Sequence, residues 1–180
     1  MLHRLLYPVR LDADGAPITI RRAQADDIPT MVRLLATDQV ASNRFEEAAS
    51  ASGPQASREA AEHPYLVGFT RILLDPGNEL VVAENADFEV IAMMQLTLIP
   101  GFARRGASVL LLRGFRAGDE HSGLRAMLRW AQSEAAQKLG AGFVEAVVDA
   151  TGTDARRTLE TIGFTGTAVG YRSTVPRPGS

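Results

Sequence analysis

Phe115-Arg116-Ala117-Gly118-Asp119-Glu120-His121-Ser122-Gly123-Leu124-Arg125-Ala126-Met127-Leu128-Arg129-Trp130 is the stretch whose reading decides the fold. An apolar run from Ala107 to Phe115 leads into it, and a short polar turn follows. A helix then begins at once, with Leu124, Met127, Leu128, Ala131, Ala135 and Leu139 on one side and Gly140 as its stop. Strand, tight turn and helix start gather unpaired backbone N–H groups at one point, where the helix dipole adds positive potential. Such a point suits an anion.

The rest of the composition narrows the partners. At 180 residues the chain is long enough to bury a core as one domain. A net charge of -2 leaves no basic excess for a polyanion, so no nucleic-acid partner is expected. With no cysteine, disulfides, thiolate metal sites and a cysteine nucleophile are excluded. His3, His63 and His121 lie too far apart in sequence to suggest a metal site, and none is expected. No apolar run approaches the roughly 18 residues of a membrane span. The start, Met1-Leu2-His3-Arg4-Leu5-Leu6-Tyr7-Pro8, has too short an apolar core for a signal peptide, so a cytoplasmic protein without a membrane partner is expected.

In chain order, residues 1–16 read as an N-terminal extension ending in the turn Asp12-Ala13-Asp14-Gly15. Leu5, Leu6, Tyr7, Val9 and Leu11 either pair as an added strand or dock on the body. Residues 17–176 read as a single domain, followed by a short tail. Ile18-Thr19-Ile20-Arg21-Arg22-Ala23 alternates as a half-buried strand. Asp26 or Asp27 caps the next helix, which buries Ile28, Met31, Val32, Leu34 and Leu35. Residues 38–63 are polar and alanine-rich, which predicts a mobile or loosely helical segment. A short helix over 65–74 ends at Asp75-Pro76-Gly77-Asn78. Residues 79–84 and 88–99 form a hairpin, 101–106 a loop, and 107–117 a third antiparallel strand. After the central helix, residues 143–149 are almost wholly apolar, as in a strand covered on both faces. Residues 154–162 form a short helix, and 164–175 close the sheet. The expected class is α/β: a mixed, mostly antiparallel sheet with a strand–helix–strand crossover and helices on both faces.

Several segments stand collinearly within this frame: Asp75-Pro76-Gly77-Asn78-Glu79-Leu80-Val81-Val82-Ala83-Glu84, Met94-Gln95-Leu96-Thr97-Leu98-Ile99-Pro100-Gly101, Arg104-Arg105-Gly106-Ala107, the opening stretch, and Asp154-Ala155-Arg156-Arg157-Thr158-Leu159-Glu160-Thr161-Ile162-Gly163-Phe164. In that order, from about Ile18 to Tyr171, they resemble the GNAT superfamily of acetyl-CoA-dependent N-acetyltransferases, as a divergent member. The resemblance implies the acyl-CoA N-acyltransferase fold, in which the crossover joins two parallel strands that splay apart around the cofactor. It implies acetyl-CoA as co-substrate, a small amine as acceptor, and a homodimer as one possible assembly.

The family's diphosphate motif, Gln/Arg-x-x-Gly-x-Gly/Ala, falls on Glu120, Gly123 and Arg125, of which only Gly123 matches. By resemblance, Phe115, Ala117, Ser122, Gly123, Leu124 and Arg125 are the cofactor-binding residues. Arg125 either reaches back to a phosphate or fills the space a phosphate needs. Glu120, with Asp119, either complements the helix dipole or repels the cofactor; at about 4 Å and an effective dielectric of about 20 that repulsion is roughly 4 kcal/mol. Leu159 holds the position of the family's general-acid tyrosine and donates no proton. Arg113 stands where members of one branch carry a glutamate. His121, Glu145 and Asp149 are the candidates for catalysis, against the plainer reading of exposed polar residues. Gln95, Thr97 and Tyr65 line an acceptor pocket or simply pack. The sequence therefore points to an N-acetyltransferase, with a catalytically inactive binding or regulatory module in the same fold as the alternative.

Overall fold

In the computed structural model, residues 2, 5–36, 55–118, 121–148, 153–171 and 173 are described. Six strands form one sheet in chain order: β1 (Val9–Ala13), β2 (Ala16–Arg22), β3 (Asn78–Glu84), β4 (Val90–Ile99), β5 (Ser108–Ala117) and β6 (Ala141–Ala146). Every neighbouring pair is antiparallel except β5 and β6, which are parallel. The helices are α1 (Ile28–Ala36), α2 (Gln55–Leu74), α3 and α4 (Thr153–Thr161). The central helix, α3, starts as His121–Trp130, passes through a π-helical segment, Ala131–Ala135, and ends as Ala136–Leu139, with Gly140 left-handed behind it. This is the expected mixed layer structure.

Both faces of the sheet are covered. On one, Leu124, Met127, Leu128 and Ala131 of α3 pack with Ile20, Val81, Met94, Leu110 and Leu112. On the other, Ile28, Met31 and Leu34 of α1 and Phe69 of α2 pack with Leu80, Val82 and Met93. The middle of β3 is accordingly buried on both sides. Gly123 sets how closely α3 approaches the sheet: a Cβ there would come 2.8 Å from Ile91 Cδ1.

The β5–α3–β6 crossover is the feature that positions everything else. β5 and β6 pair from Ser108 opposite Ala141 to Leu112 opposite Ala146, and Val147 N–H donates to the Leu112 carbonyl at 3.1 Å. Beyond Leu112, β5 pairs among the described residues only with β4. Arg113 faces Gln95 and Arg116 faces Met93, so Gly114 and Phe115 bulge opposite Met94. Gly114 has φ +55, which favours a residue without a side chain.

The N-terminal extension resolves as an added strand. β1 pairs with β2, Leu2 and Leu5 are core residues, and the Tyr7 ring lies 6.2 Å from that of Trp130. Burial, together with the nearby Glu79 carboxylate, pushes the Tyr7 hydroxyl well above its ordinary pKa. At the start of α1, Asp27 closes a 3-10 turn, Ala25–Asp27, and accepts from the Gln24 N–H at 2.7 Å. Its carboxylate also takes both terminal nitrogens of Arg21, at 2.7 and 2.9 Å, while Arg21 Nε donates to Glu84 at 2.7 Å. Burial acts to raise the Asp27 pKa, but the Arg21 and Gln24 hydrogen bonds outweigh it and hold the carboxyl below its usual range.

Three expectations are corrected. α2 begins at Gln55, ten residues before Tyr65, and carries Pro64 inside it; the helix propensity of the alanine-rich stretch prevails over the proline. The remainder of the segment expected to be mobile, 38–54, lies outside the described residues. β6 is no doubly covered strand: Phe143 is 41% and Val147 47% exposed. Their exposure has a direct cause, because residues 164–171 and 173 form no strand and leave β6 at the sheet edge.

Two tests follow from these contacts. Asp27→Asn should cost about 1.5–3 kcal/mol in urea unfolding at pH 7, the range for hydrogen bonds to charged groups. Because the folded pKa is depressed, the wild-type advantage is full above about pH 5 and fades as pH drops below about 4. An unchanged gap at pH 3 would contradict this origin. Gly123→Val should cost about 1–3 kcal/mol by overpacking. Combining it with Ile91→Ala should recover at least about 0.5 kcal/mol relative to additivity; strict additivity would show that Ile91 does not limit the approach.

Candidate functional site

The first residues of α3 stand just past the C-terminal end of β5. Gly118 N–H extends the β5–β4 pairing by donating to Ile91 at 3.0 Å, and α3 opens at His121. Asp119 and Glu120 lie outside the described residues, as does Asp149. The first four N–H groups of a helix have no partner within it, so the backbone of 121–124 offers donors at this end of the sheet.

The six residues carried over as cofactor-binding divide sharply. Phe115 is 3% exposed and its ring belongs to the core under α3; Ala117 packs beside it. Their side chains are therefore closed to a ligand, while the Phe115 carbonyl accepts from Arg116 Nη1 at 2.8 Å and Ala117 pairs with Ala92 of β4. Leu124 is also buried, Ser122 is half-buried, and Gly123 is accounted for by the close approach to Ile91. The Arg125 guanidinium forms an ion pair with Asp14 in the β1–β2 turn, a partner that neither of the two roles weighed for it includes. Asp14 is left-handed at φ 57, and Asp12 Oδ1 accepts from the Gly15 N–H at 2.8 Å, so the turn holds the carboxylate in place. Hydrogen bonding to Arg125 and its charge, with a smaller contribution from Arg129, hold the Asp14 carboxyl below its usual range. The sequence shows the turn, but nothing in it says where the turn docks.

The candidates for catalysis are not brought together. His121 is exposed at the start of α3. Glu145 is exposed on β6 opposite Leu111, six residues back from Ala117 and so roughly 20 Å away along the strand. It lies 3.9 Å from Arg104, whose guanidinium sits 4.5 Å from the centre of the Phe143 ring. Arg104 and Arg105 both adopt left-handed backbone in the turn Ala103–Gly106, which aims Arg104 at β6. Leu159 is 6% exposed and lies in the core, so no proton donor occupies that point.

A second polar group, partly read from the sequence, lies on the sheet face away from α3. Strand register lines up Leu80, Gln95 and Arg113 in one row, and Asn78, Thr97, Leu111 and Glu145 in the next. Gln95 Nε2 donates to Asn78 Oδ1 at 2.9 Å, Thr97 Oγ1 donates to the same oxygen at 2.6 Å, and Asn78 Nδ2 donates to Asp75 at 2.8 Å. Arg113 is exposed, and among the described residues its side chain has no hydrogen-bond or ion-pair partner. Tyr65 packs with the α1–α2 core. Among the described residues, no group of three or more His, Asp or Glu is placed to hold a metal ion, and no helix is long and apolar enough to cross a membrane.

No family model matches the chain, and no curated protein matches it. Solved structures do. A transcriptional regulator from Bacillus halodurans C-125 is 27% identical, with a TM-score of 0.72 over 88% of this chain and 99% of that one. Glucosamine-6-phosphate N-acetyltransferase from Arabidopsis thaliana is 13% identical, with a TM-score of 0.54 over 88% and 99%. An aminoglycoside N-acetyltransferase in complex with CoA is 13% identical, with a TM-score of 0.60 over 92% and 100%. The strand order, the parallel crossover and the helices on both faces are those of the acyl-CoA N-acyltransferase fold. In fold, the chain is similar to the GNAT acyl-CoA N-acyltransferases.

Proposed function

We propose that the protein transfers an acetyl group from acetyl-CoA to the nitrogen of a small amine. The observation that carries the reading is the parting of β5 from β6 after Leu112, beside the open start of α3. The residues present fit the co-substrate: no side chain of Phe115, Ala117, Gly123 or Leu124 projects into the site, and Arg125 is drawn aside by Asp14. The open backbone N–H groups of His121, Ser122, Gly123 and Leu124 would hold the diphosphate, and the backbone of Phe115 and Ala117 would face the chain leading to the thioester. When bound, acetyl-CoA supplies a thioester carbon to the amine nitrogen, so that a C–N bond forms, the C–S bond breaks, and the nitrogen's proton is released as the thiolate leaves.

This chain contributes orientation more than proton transfer. Leu159 in the core removes one acid, a loss of about 10²- to 10⁴-fold where such a group operates. We assign proton transfer on the acceptor side to Glu145; His121, at the α3 end, stands too far from it to serve the same amine, and Asp149 lies outside the described residues. The buried Leu159 is also what favours the second reading, an inactive binding or regulatory module in the same fold. We take the protein to be cytoplasmic, without nucleic-acid or membrane partners, and compatible with a homodimer.

Acetyl-CoA at 100 times its dissociation constant should stabilise the protein by about 2.7 kcal/mol in thermal unfolding. No shift at millimolar acetyl-CoA would remove the transferase reading. Binding without CoA release across a panel of amines would leave the inactive module. Asp14→Asn should release Arg125 toward the diphosphate and tighten CoA binding by up to about fivefold, the scale of an exposed ion pair. Weaker binding in that variant would show instead that Asp14 holds Arg125 where it is useful.

A further inference from the structure

Arg113 is the first residue of β5 beyond its last pair with β6, and the bulge at Gly114 follows it immediately. Strand alternation sends its side chain away from the α3 core that Leu112 enters, onto the face where Gln95 and Thr97 stand. There, an exposed guanidinium without a partner lies beside a hydrogen-bonded amide–hydroxyl group, Gln95, Thr97 and Asn78. Glu145 stands one row away on the same face, opposite Leu111. Among the described residues its one ion pair is a long, exposed one to Arg104, which costs little to exchange.

Resting on the acetyl-transfer reading, we propose that the acceptor is a small zwitterion, an amine carrying its own carboxylate, with the carboxylate on Arg113 and the amine toward Glu145. The charges decide between ligand classes. A polyamine would set a cation against Arg113. A phosphate dianion would meet one guanidinium with the Glu145 carboxylate on the same face. A single carboxylate matches the bidentate geometry of one guanidinium and leaves the opposite charge of the ligand for Glu145. The step itself is the one already given: the nitrogen gains the acetyl group and loses one proton, and CoA leaves as the thiol.

The test compares amino acids with the matching amines that lack the carboxylate, phenylalanine with phenethylamine and lysine with cadaverine, and adds glucosamine 6-phosphate. Calorimetric binding to the CoA-saturated protein is one readout, and CoA release from acetyl-CoA is the other. Wild type should bind and acetylate an amino acid in preference to its decarboxylated partner. Arg113→Gln should weaken amino-acid binding about tenfold or more, the scale of a charge-assisted hydrogen bond, while changing the plain amines less than about twofold. Arg113→Glu should reverse the preference toward cadaverine. If wild type uses plain amines as well as amino acids and Arg113→Gln changes neither, the zwitterion proposal falls and the transferase reading stands. Selective use of glucosamine 6-phosphate would overturn it in favour of a phosphate. Absence of both CoA binding and amine binding would overturn both. Arg113 is exposed, so these variants should fold, which unchanged unfolding curves would establish.

Discussion

The loss of pairing between β5 and β6 after Leu112 is the constraint on which the rest depends. A parallel pair joined by a helix must keep that helix against one face of the sheet, and α3 does so through a tight contact at Gly123 and Ile91. With α3 fixed and the bulge at Gly114 turning β5, the two strands separate while the open start of the helix stays at their divided end. A site of the proposed kind would be built from main chain and would need little of the family's side-chain motif.

Seen this way, the altered residues at the start of α3 acquire separate explanations. Gly123, the one matching position, is required by the helix-to-sheet distance whether or not a phosphate comes near. Arg125, in place of a glycine, is held by Asp14 from the first hairpin. That pair joins the N-terminal segment to the central helix, and Tyr7 against Trp130 does the same further along it. The first sixteen residues are therefore part of the architecture around the site and contribute a charge beside it.

Much of this was legible from residue pattern. The β3–β4 hairpin, the central helix and its glycine stop, and the crossover all follow from periodicity and turn residues that agree with the tertiary result. What failed did so for physical reasons. Phe143 and Val147 suggest a covered strand, but apolar residues at an uncovered edge look the same in sequence. Residues 164–171 carry strand-forming types, yet strand formation needs a partner, and propensity alone does not provide one. Of the candidate site, the strand–turn–helix order was readable, and Leu159 shows in the sequence as a residue that donates no proton. The Asp14–Arg125 pair spans 111 positions, and the row joining Gln95 to Arg113 depends on register across a bulge; neither is visible locally.

The central claim is that the backbone where β5 leaves β6 and α3 begins holds the diphosphate end of acetyl-CoA. Backbone amide chemical shifts followed during an acetyl-CoA titration test it most directly. The account predicts that the largest saturable changes fall on His121, Ser122, Gly123 and Leu124, with a second group at Phe115, Ala117 and Gly118. Saturable changes confined elsewhere, for example to the exposed edge of β6, with these amides unmoved, would contradict it.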